Sequence, residues 1–398
     1  MAERLADMRM TGIVCEYDPF HNGHRYLLER AREGSDVVVC VMSGNVTQRG
    51  YFALADKYTR AEMALRGGAD LVLELPYPYS SASAEFFASA GVSVLASVGA
   101  DRICFGSESG DVARLLRAAE VASSLTPTEE HDERGSADGY FSALSAAYEK
   151  AFGETFSPES NDILGVEYCK AILSGGYGIE PIAVTRLGDG FRQGEVTDTT
   201  FASATAIRCL VREGRLADIA SLVPEETTRL LEEAIAQGDA PVEIERLENA
   251  ILAFLRLTAP EALSEIAELG NGLEYRLTEA AKEATNLADL FASVATKKYT
   301  DAKIRRAVLF AMTGVTAADL RTPVGYTTVL GATKVGCEIL SVLRKQEGGL
   351  PIVTKPADGK AVASRQYELS LAADSLFALA HPTVKPAGEW MRKNPVIL

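Results

Sequence analysis

His21 and His24 stand three residues apart around Gly23, inside the string GIVCEYDPFHNGHRY that runs from Gly12 to Tyr26. The string opens on a short apolar run, Gly12 to Cys15. It turns through Tyr17, Asp18 and Pro19 and delivers the histidines onto the start of a helix. A strand, a tight turn and a helix N-terminus together suit an anion, because unpaired backbone N–H groups and the helix dipole both favour negative charge. Residues i and i+3 share one face of a helical turn. Each imidazole there can donate a hydrogen bond to a phosphate oxygen as charge builds on it. Gly23 would let the backbone lie close under a flat base, which a Cβ would obstruct. A lone histidine is more often a satisfied surface or core group. This chain has four histidines, and two of them frame a glycine at a strand-to-helix turn, which favours a nucleotide site.

FASATAIR, from Phe201 to Arg208, offers a second anion site with different donors. Ser203 stands where an N-cap would begin a helix, with Thr205 on the first turn and Arg208 on the second. Hydroxyls, backbone N–H groups and a guanidinium suit phosphate oxygens. Capping alone would account for the serine, but the histidine turn elsewhere in the chain favours the phosphate reading. The loop SGNVTQRG, Ser43 to Gly50, offers Gln48 and Arg49 to an anion. Lys57 and Arg60, on the helix after it, either reach the same crevice or are solvated. In SNDILG, Ser160 or Asn161 either caps a helix over Ile163–Leu173 or sends an amide to the nucleotide. Arg186 stands at a strand end.

These groups need a scaffold that brings them to one edge. Apolar runs recur at Gly12–Cys15, Asp36–Met42, Asp70–Leu75, Arg102–Phe105 and Glu180–Val184. Their hydrophobicity is continuous rather than alternating, which predicts strands buried on both faces of a parallel, helix-covered sheet. Helices are predicted over Arg25–Arg32, Asp56–Arg66 and Ser83–Ser97. Ligands of such sheets bind beyond the carboxyl ends of the strands. That edge carries His21 and His24, then Ser43–Asn45, then Gly106–Glu108. Residues 126–138 read as a polar surface loop that leaves His131 exposed.

Beyond about residue 215 the pattern turns helical, with periodic apolar positions over Pro224–Gln237, Glu243–Leu257 and Ala259–Glu268. The stretch from Ala295 to Thr313 carries Lys297, Lys298, Lys303, Arg305 and Arg306 against one acid, Asp301, with Tyr299 among them. A basic stripe beside an aromatic suits a phosphate backbone and a stacked base, and a solvated helix face would look the same. Strands are predicted at Val324–Leu330 and Leu350–Thr354, with a helix over Lys334–Lys345 between them.

Composition narrows the class. The 398 residues are 47% hydrophobic and 24% charged, as in an ordinary globular protein of two or three domains. The charged N-terminus lacks an apolar signal core, and no apolar run approaches the length of a membrane span. The six cysteines form no CxxC pair, so neither a zinc knuckle nor a disulfide framework is indicated. The expected compartment is the cytoplasm. The formal net charge of −15 argues against nucleic acid as a partner until it is resolved along the chain. Residues 296–398 hold 15 basic and 8 acidic side chains, so the last quarter is where a polyanion could dock.

Taken together, EYDPFHNGH, MSGNVTQRG, DKYTRAEMAL, GADLVLELP, CFGSE, SNDILGVEY and SATAIR, followed by NGLEYRL, ATKKYTDAKIRR and LPIVTK, resemble the bacterial tRNA(Met) cytidine acetate ligase family in order. That family lies in the nucleotidylyltransferase superfamily with an H-x-G-H motif. The resemblance covers nearly the whole chain from about Thr11. It implies an α/β fold with three parts. A Rossmann-like, ATP-binding catalytic domain spans 1–215, a mainly helical region with the basic stripe spans 216–322, and a small, RNA-contacting α/β unit spans 323–398.

The resemblance also implies a reaction. Acetate attacks the α-phosphate of ATP, giving acetyl-adenylate and pyrophosphate, and the wobble cytidine of elongator tRNA(Met) then takes the acetyl group. The family's nucleotide segment falls on Ile13, Val14, Cys15, Glu16, Tyr17, Asp18, Pro19, Phe20, His21, Asn22, Gly23, His24, Arg25 and Tyr26. Its further nucleotide contacts fall on Gly106, Asn161, Arg186 and Leu187. His21, His24 and Arg208 are the expected catalytic groups, and Ser203, Thr205 and Arg208 are expected on the β- and γ-phosphates. Magnesium is expected with ATP, although no acidic ligand is evident. The chain departs from the family pattern in three places. Asp18 replaces the usual asparagine, LGDGFRQGEV follows Arg186 where GxGYHD is usual, and Thr328 replaces an arginine. A cofactor nucleotidylyltransferase and a non-catalytic, ATP-binding tRNA protein are the competing readings.

Overall fold

The computed structural model describes residues 8–125, 137–157, 159–187, 201–345 and 349–398. Five strands form the parallel core: β1 (Met10–Cys15), β2 (Val37–Ser43), β3 (Leu71–Leu75), β4 (Arg102–Ser107) and β5 (Glu180–Thr185). Their order is β5-β4-β1-β2-β3, so the chain winds one way from β1 to β3 and the other way from β4 to β5. All the pairings among them are parallel. The strands are apolar on both faces because both faces are covered. One face holds α1 (Asn22–Arg32) and α2 (Lys57–Arg66), with Ile13, Cys15, Val38 and Cys40 in their core. The other holds α3 (Ala84–Ser97), α4 (Val112–Ser124), α5 (Ala137–Phe152) and α6 (Ser160–Gly175) over Val14, Val39, Leu71 and Ile103. Helical crossovers on both faces are the standard solution for a parallel sheet.

After α7 (Ala204–Arg212) the chain builds α8 (Glu225–Ala236), α9 (Glu248–Leu257), α10 (Leu273–Glu283), α11 (Leu287–Val294) and α12 (Asp301–Thr313). Their apolar faces extend the α1/α2 core rather than forming a separate one. The helix predicted over Ala259–Glu268 is a single 3₁₀ turn at Pro260–Leu263. Ile266 then bridges to Thr316, and Glu268 has a φ of 65°, a combination no helix accommodates. The Lys-rich stretch is helical only from Asp301, where Thr300 caps Lys303 N.

Past α13 (Ala317–Arg321), β6 (Thr327–Ala332) joins the main sheet antiparallel to β3. It is followed by α14 (Lys334–Leu343), β7 (Ile352–Val353), α15 (Ser364–Leu379) and β8 (Val396–Ile397), and both short strands pair with β6. The last segment thus closes an edge of the main sheet. It also contributes a charge to it. Lys57 Nζ lies 2.7 Å from Glu74 Oε1 and 3.2 Å from Asp374 Oδ2 of α15, all three buried, and Asn45 Nδ2 donates to Asp374 Oδ1 at 2.8 Å. Thr328 is buried beside the same cluster. Among the described residues no helix is long and apolar enough to cross a membrane.

Candidate active site

The winding reverses between β1 and β4, and their carboxyl ends open there into a crevice, where doubly wound sheets bind ligands. A cavity of about 1000 Å³ fills it. His21 is the N-cap of α1, and its Nδ1 accepts from Gly23 N at 3.1 Å. His24 Nδ1 in turn accepts from His21 N at 3.3 Å. The two bonds make a capping box, a device usually built from Ser or Thr with Glu or Gln. With Nδ1 accepting on each ring, the proton of a neutral imidazole belongs on Nε2. The rings stack with centroids 3.6 Å apart and planes at 23°. Two charged imidazoles could not share that space. Burial and the nearby Arg186 and Arg208 guanidiniums lower His21 to about 3. Burial and the His21 ring lower His24 as well. Both rings line the cavity in the neutral form, His24 with the Pro19 carbonyl as a backbone partner; a neutral imidazole N–H suits charge that develops on a phosphate.

Arg208 is on α7, which begins at its N-cap Ser203; Ser203 Oγ accepts from Ala206 N at 3.2 Å. Arg208 Nη2 donates to Thr205 Oγ1 and Nη1 to the Asp18 carbonyl, both at 2.9 Å. The second anion motif is thereby tied to the turn that carries His21, and Ser203, Thr205 and Arg208 line the same cavity.

The remaining wall joins β4 to α6. Glu108 accepts from Asn161 N at 3.1 Å and Asp162 N at 3.0 Å, and Asp162 Oδ1 accepts in return from Glu108 N at 3.1 Å and Ser109 N at 3.3 Å. Helix α6 therefore begins at Ser160, earlier than the predicted Ile163, and it is capped from another segment rather than by its own serine or asparagine. Asn161 reaches the cavity beside Gly106, Arg186 and Leu187.

Of the segment from Ile13 to Tyr26, the cavity is lined by Ile13, Val14, Cys15, Glu16, Tyr17, His21, Gly23, His24 and Tyr26. The others are engaged elsewhere. Asp18 Oδ1 accepts from Leu54 N at 2.6 Å, and Pro19 follows it through a cis bond. Phe20 is core. Asn22 clips the turn to the helical region, its Nδ2 donating to Ser221 O at 2.8 Å and its N to Leu222 O at 3.0 Å. Arg25 is exposed and lies 3.9 Å from Glu29.

Lys57 and Arg60 are neither in the crevice nor solvated. Both are buried, Lys57 in its ion cluster and Arg60 on the carbonyls of Ala55, Glu16, Ser43 and Gly44. Gln48 and Arg49 do line the cavity. His131, and most of the altered loop after Arg186, lie outside the described residues. Phe87, Phe105, Leu164 and Tyr168 form an apolar wall that the sequence did not single out, since nothing in it distinguishes a buried aromatic facing a cavity from one facing a neighbour.

The basic stripe divides. Lys297 is exposed, and Lys298 and Lys303 lie over the Tyr299 ring at 5.3 and 5.7 Å. Arg305 covers Tyr51 at 4.4 Å. Arg306 does not belong to the surface: it is buried, with Nε and Nη2 each 2.9 Å from Glu268 Oε1. Tyr299 is buried too, and its hydroxyl donates to Asn271 O at 2.8 Å, so it is not a stacking platform.

The model of a family described as HIGH nucleotidyl transferase matches residues 8–389. The tRNA(Met) cytidine acetate ligase of Acetivibrio thermocellus is 33% identical over 418 residues, covering 98% of this chain and all of that one. The chain belongs to the tRNA(Met) cytidine acetate ligase family. The family member from Thermotoga petrophila is 35% identical, covering 93% of this chain and 95% of its own. The crystal structure of Thermotoga maritima TmcAL with alpha-thio ATP matches with a TM-score of 0.88 at 32% identity, over 98% of this chain and 100% of that one. Its apo form matches at 0.90. Like its relatives in length and fold, this member of the ligase family carries no group of three or more His, Cys, Asp or Glu placed to hold a metal ion among its described residues.

Proposed function

We infer that this protein is an ATP-using tRNA(Met) cytidine acetate ligase. The convergence of the stacked, neutral histidine pair and Arg208 on one cavity carries the reading. ATP would lie across the switch point, with its base toward the apolar wall of Phe87, Phe105 and Tyr168. His21 and His24 donate to the α-phosphate as acetate attacks it. Ser203, Thr205 and Arg208 hold the β- and γ-phosphates and stabilise the departing pyrophosphate. Magnesium would enter with ATP as a counter-ion to its phosphates, since no group of three or more His, Cys, Asp or Glu among the described residues is placed to hold it. Acetyl-adenylate remains in the cavity for the wobble cytidine of elongator tRNA(Met), whose backbone docks on Lys297, Lys298 and Lys303. The family's name and its full-length relatives support these substrates.

The test is incubation with ATP, magnesium, acetate and unmodified elongator tRNA(Met), then digestion of the RNA and mass spectrometry. Acetylcytidine that depends on both ATP and acetate is the expected result. AMP and pyrophosphate without acetylcytidine would mean the wrong RNA partner, and neither product would sink the ligase reading.

A further inference from the structure

Two carboxylates line the cavity among the described residues, Glu16 and Glu159. Glu159 is exposed, on the far rim beside Asn161. Glu16 is set deeper, where β1 ends and the histidine turn begins, and its Oε1 accepts from Gln48 N at 2.6 Å. The loop it holds is a narrow hairpin, with Val46 bridged to Phe52 and Thr47 N donating to Tyr51 O at 2.9 Å. One side of the hairpin gives Gln48 and Arg49 to the cavity. The other rests on the basic helix α12: Tyr51 lies under Arg305, and a Cβ on Gly50 would stand 2.8 Å from Arg306 N. A single hairpin thus separates the basic helix from the cavity, and it is anchored on Glu16.

Resting on the ligase reading above, we propose that Glu16 is the general base of the second step, taking the proton from the cytidine amine. The amine nitrogen forms a bond to the acetyl carbon, the bond from that carbon to the phosphate oxygen breaks, AMP leaves with the electron pair, and the amine proton passes to the Glu16 carboxylate. Several charged or titratable groups face this carboxylate: Asp18 from its own turn, Arg49 from the hairpin, Arg60 from α2, Tyr168 from α6 and Arg208 from α7. Burial raises its pKa above the ordinary value, and the hydrogen bond from Gln48 N opposes the rise. A raised carboxylate is a better match to a proton acceptor working near neutrality.

The experiment separates the two steps in the full-length protein. Acetate-dependent exchange of labelled pyrophosphate into ATP reads the first. Single-turnover acetylcytidine formation on elongator tRNA(Met), followed against pH, reads the second. Glu16→Gln is expected to slow acetylcytidine formation by about 10²-fold more than it slows exchange. The acid limb of the wild-type transfer profile should vanish in that variant, and Glu16→Asp should recover part of the rate. Equal losses in both steps, or unaltered transfer, would overturn the proposal, provided Glu16→Gln melts with the wild type; if it does not, the Glu16→Asp profile decides. A wild type that makes no acetylcytidine at all would remove the ligase reading, and the proposal with it.

Discussion

Gly23 lies directly beneath the His21 imidazole: a Cβ at position 23 would stand 2.9 Å from His21 Cε1 and 3.1 Å from Nδ1. The glycine therefore makes room for the His21 ring. Gly23→Ala should push that ring out of its stack on His24 while leaving the fold intact. The expected loss in acetate-dependent pyrophosphate release is about 10²-fold, comparable to removing one preorganised donor. An active Gly23→Ala variant would show that the ring position is not critical.

The same ring sets a pH dependence. Folding lowers His21 from 6.5 to about 3. Between those values the unfolded chain binds a proton that the folded chain refuses, so stability rises with pH across that window. The contribution is fully present above about pH 6.5 and is lost as pH falls toward 3. Urea midpoints measured from neutrality downward through that window should fall, and His21→Asn should flatten the curve. Parallel curves for the two proteins would contradict the burial of His21.

Asp18 offers a subtler test. Its Oδ2 lies 3.5 Å from Arg208 Nη1 and would compete with a bound phosphate for that guanidinium. Asp18→Asn keeps an oxygen for Leu54 N and removes the competitor, so the KM for ATP should fall by less than about tenfold, with stability nearly unchanged. Asp18→Ala strands a buried N–H, and its unfolding free energy should drop by about 1–3 kcal/mol. Denaturant titration of the two variants separates these effects.

Neutralising Lys297, Lys298 and Lys303 together should weaken tRNA binding and flatten its salt dependence. The slope should fall by roughly 0.7–0.9 for every phosphate that a lysine no longer neutralises. Arg306→Ala should behave otherwise. It leaves Glu268 without its buried partner and should cost roughly 3 kcal/mol of stability, whatever its effect on RNA. Filter binding at several salt concentrations, beside urea melts, distinguishes a docking cation from a structural one.

The parallel sheet was legible because continuous apolar runs of this length have few other meanings, and β1 to β5 fall where those runs do. The grouping of Ser203, Thr205 and Arg208 was legible for the same local reason, since all three stand within two turns of one helix. What escaped was set by distant partners. Nothing near Lys57 announces that Asp374 will fold against it and Glu74, so a buried cation read as one in the crevice or in solvent. Arg306 looked like its lysine neighbours until Glu268 folded against it. The helix α6 looked self-capped, because Glu108 is distant in the chain. Asn22 and Phe20, inside the motif itself, hold the turn in place and do not line the cavity.

The strand β6 and the residue Asp374 have a meaning for the protein's birth on the ribosome. The nucleotide half is synthesised first, yet β3 keeps an open edge until residues 327–332 arrive, and Lys57 and Asn45 wait longer still, for residue 374. An unpaired strand edge is a template for mispairing, and until then Lys57 has Glu74 alone and Asn45 lacks its carboxylate acceptor. The emerging parallel sheet is thus an unfinished object that the last quarter of the chain completes, and shielding by chaperones should matter most in the interval between the two.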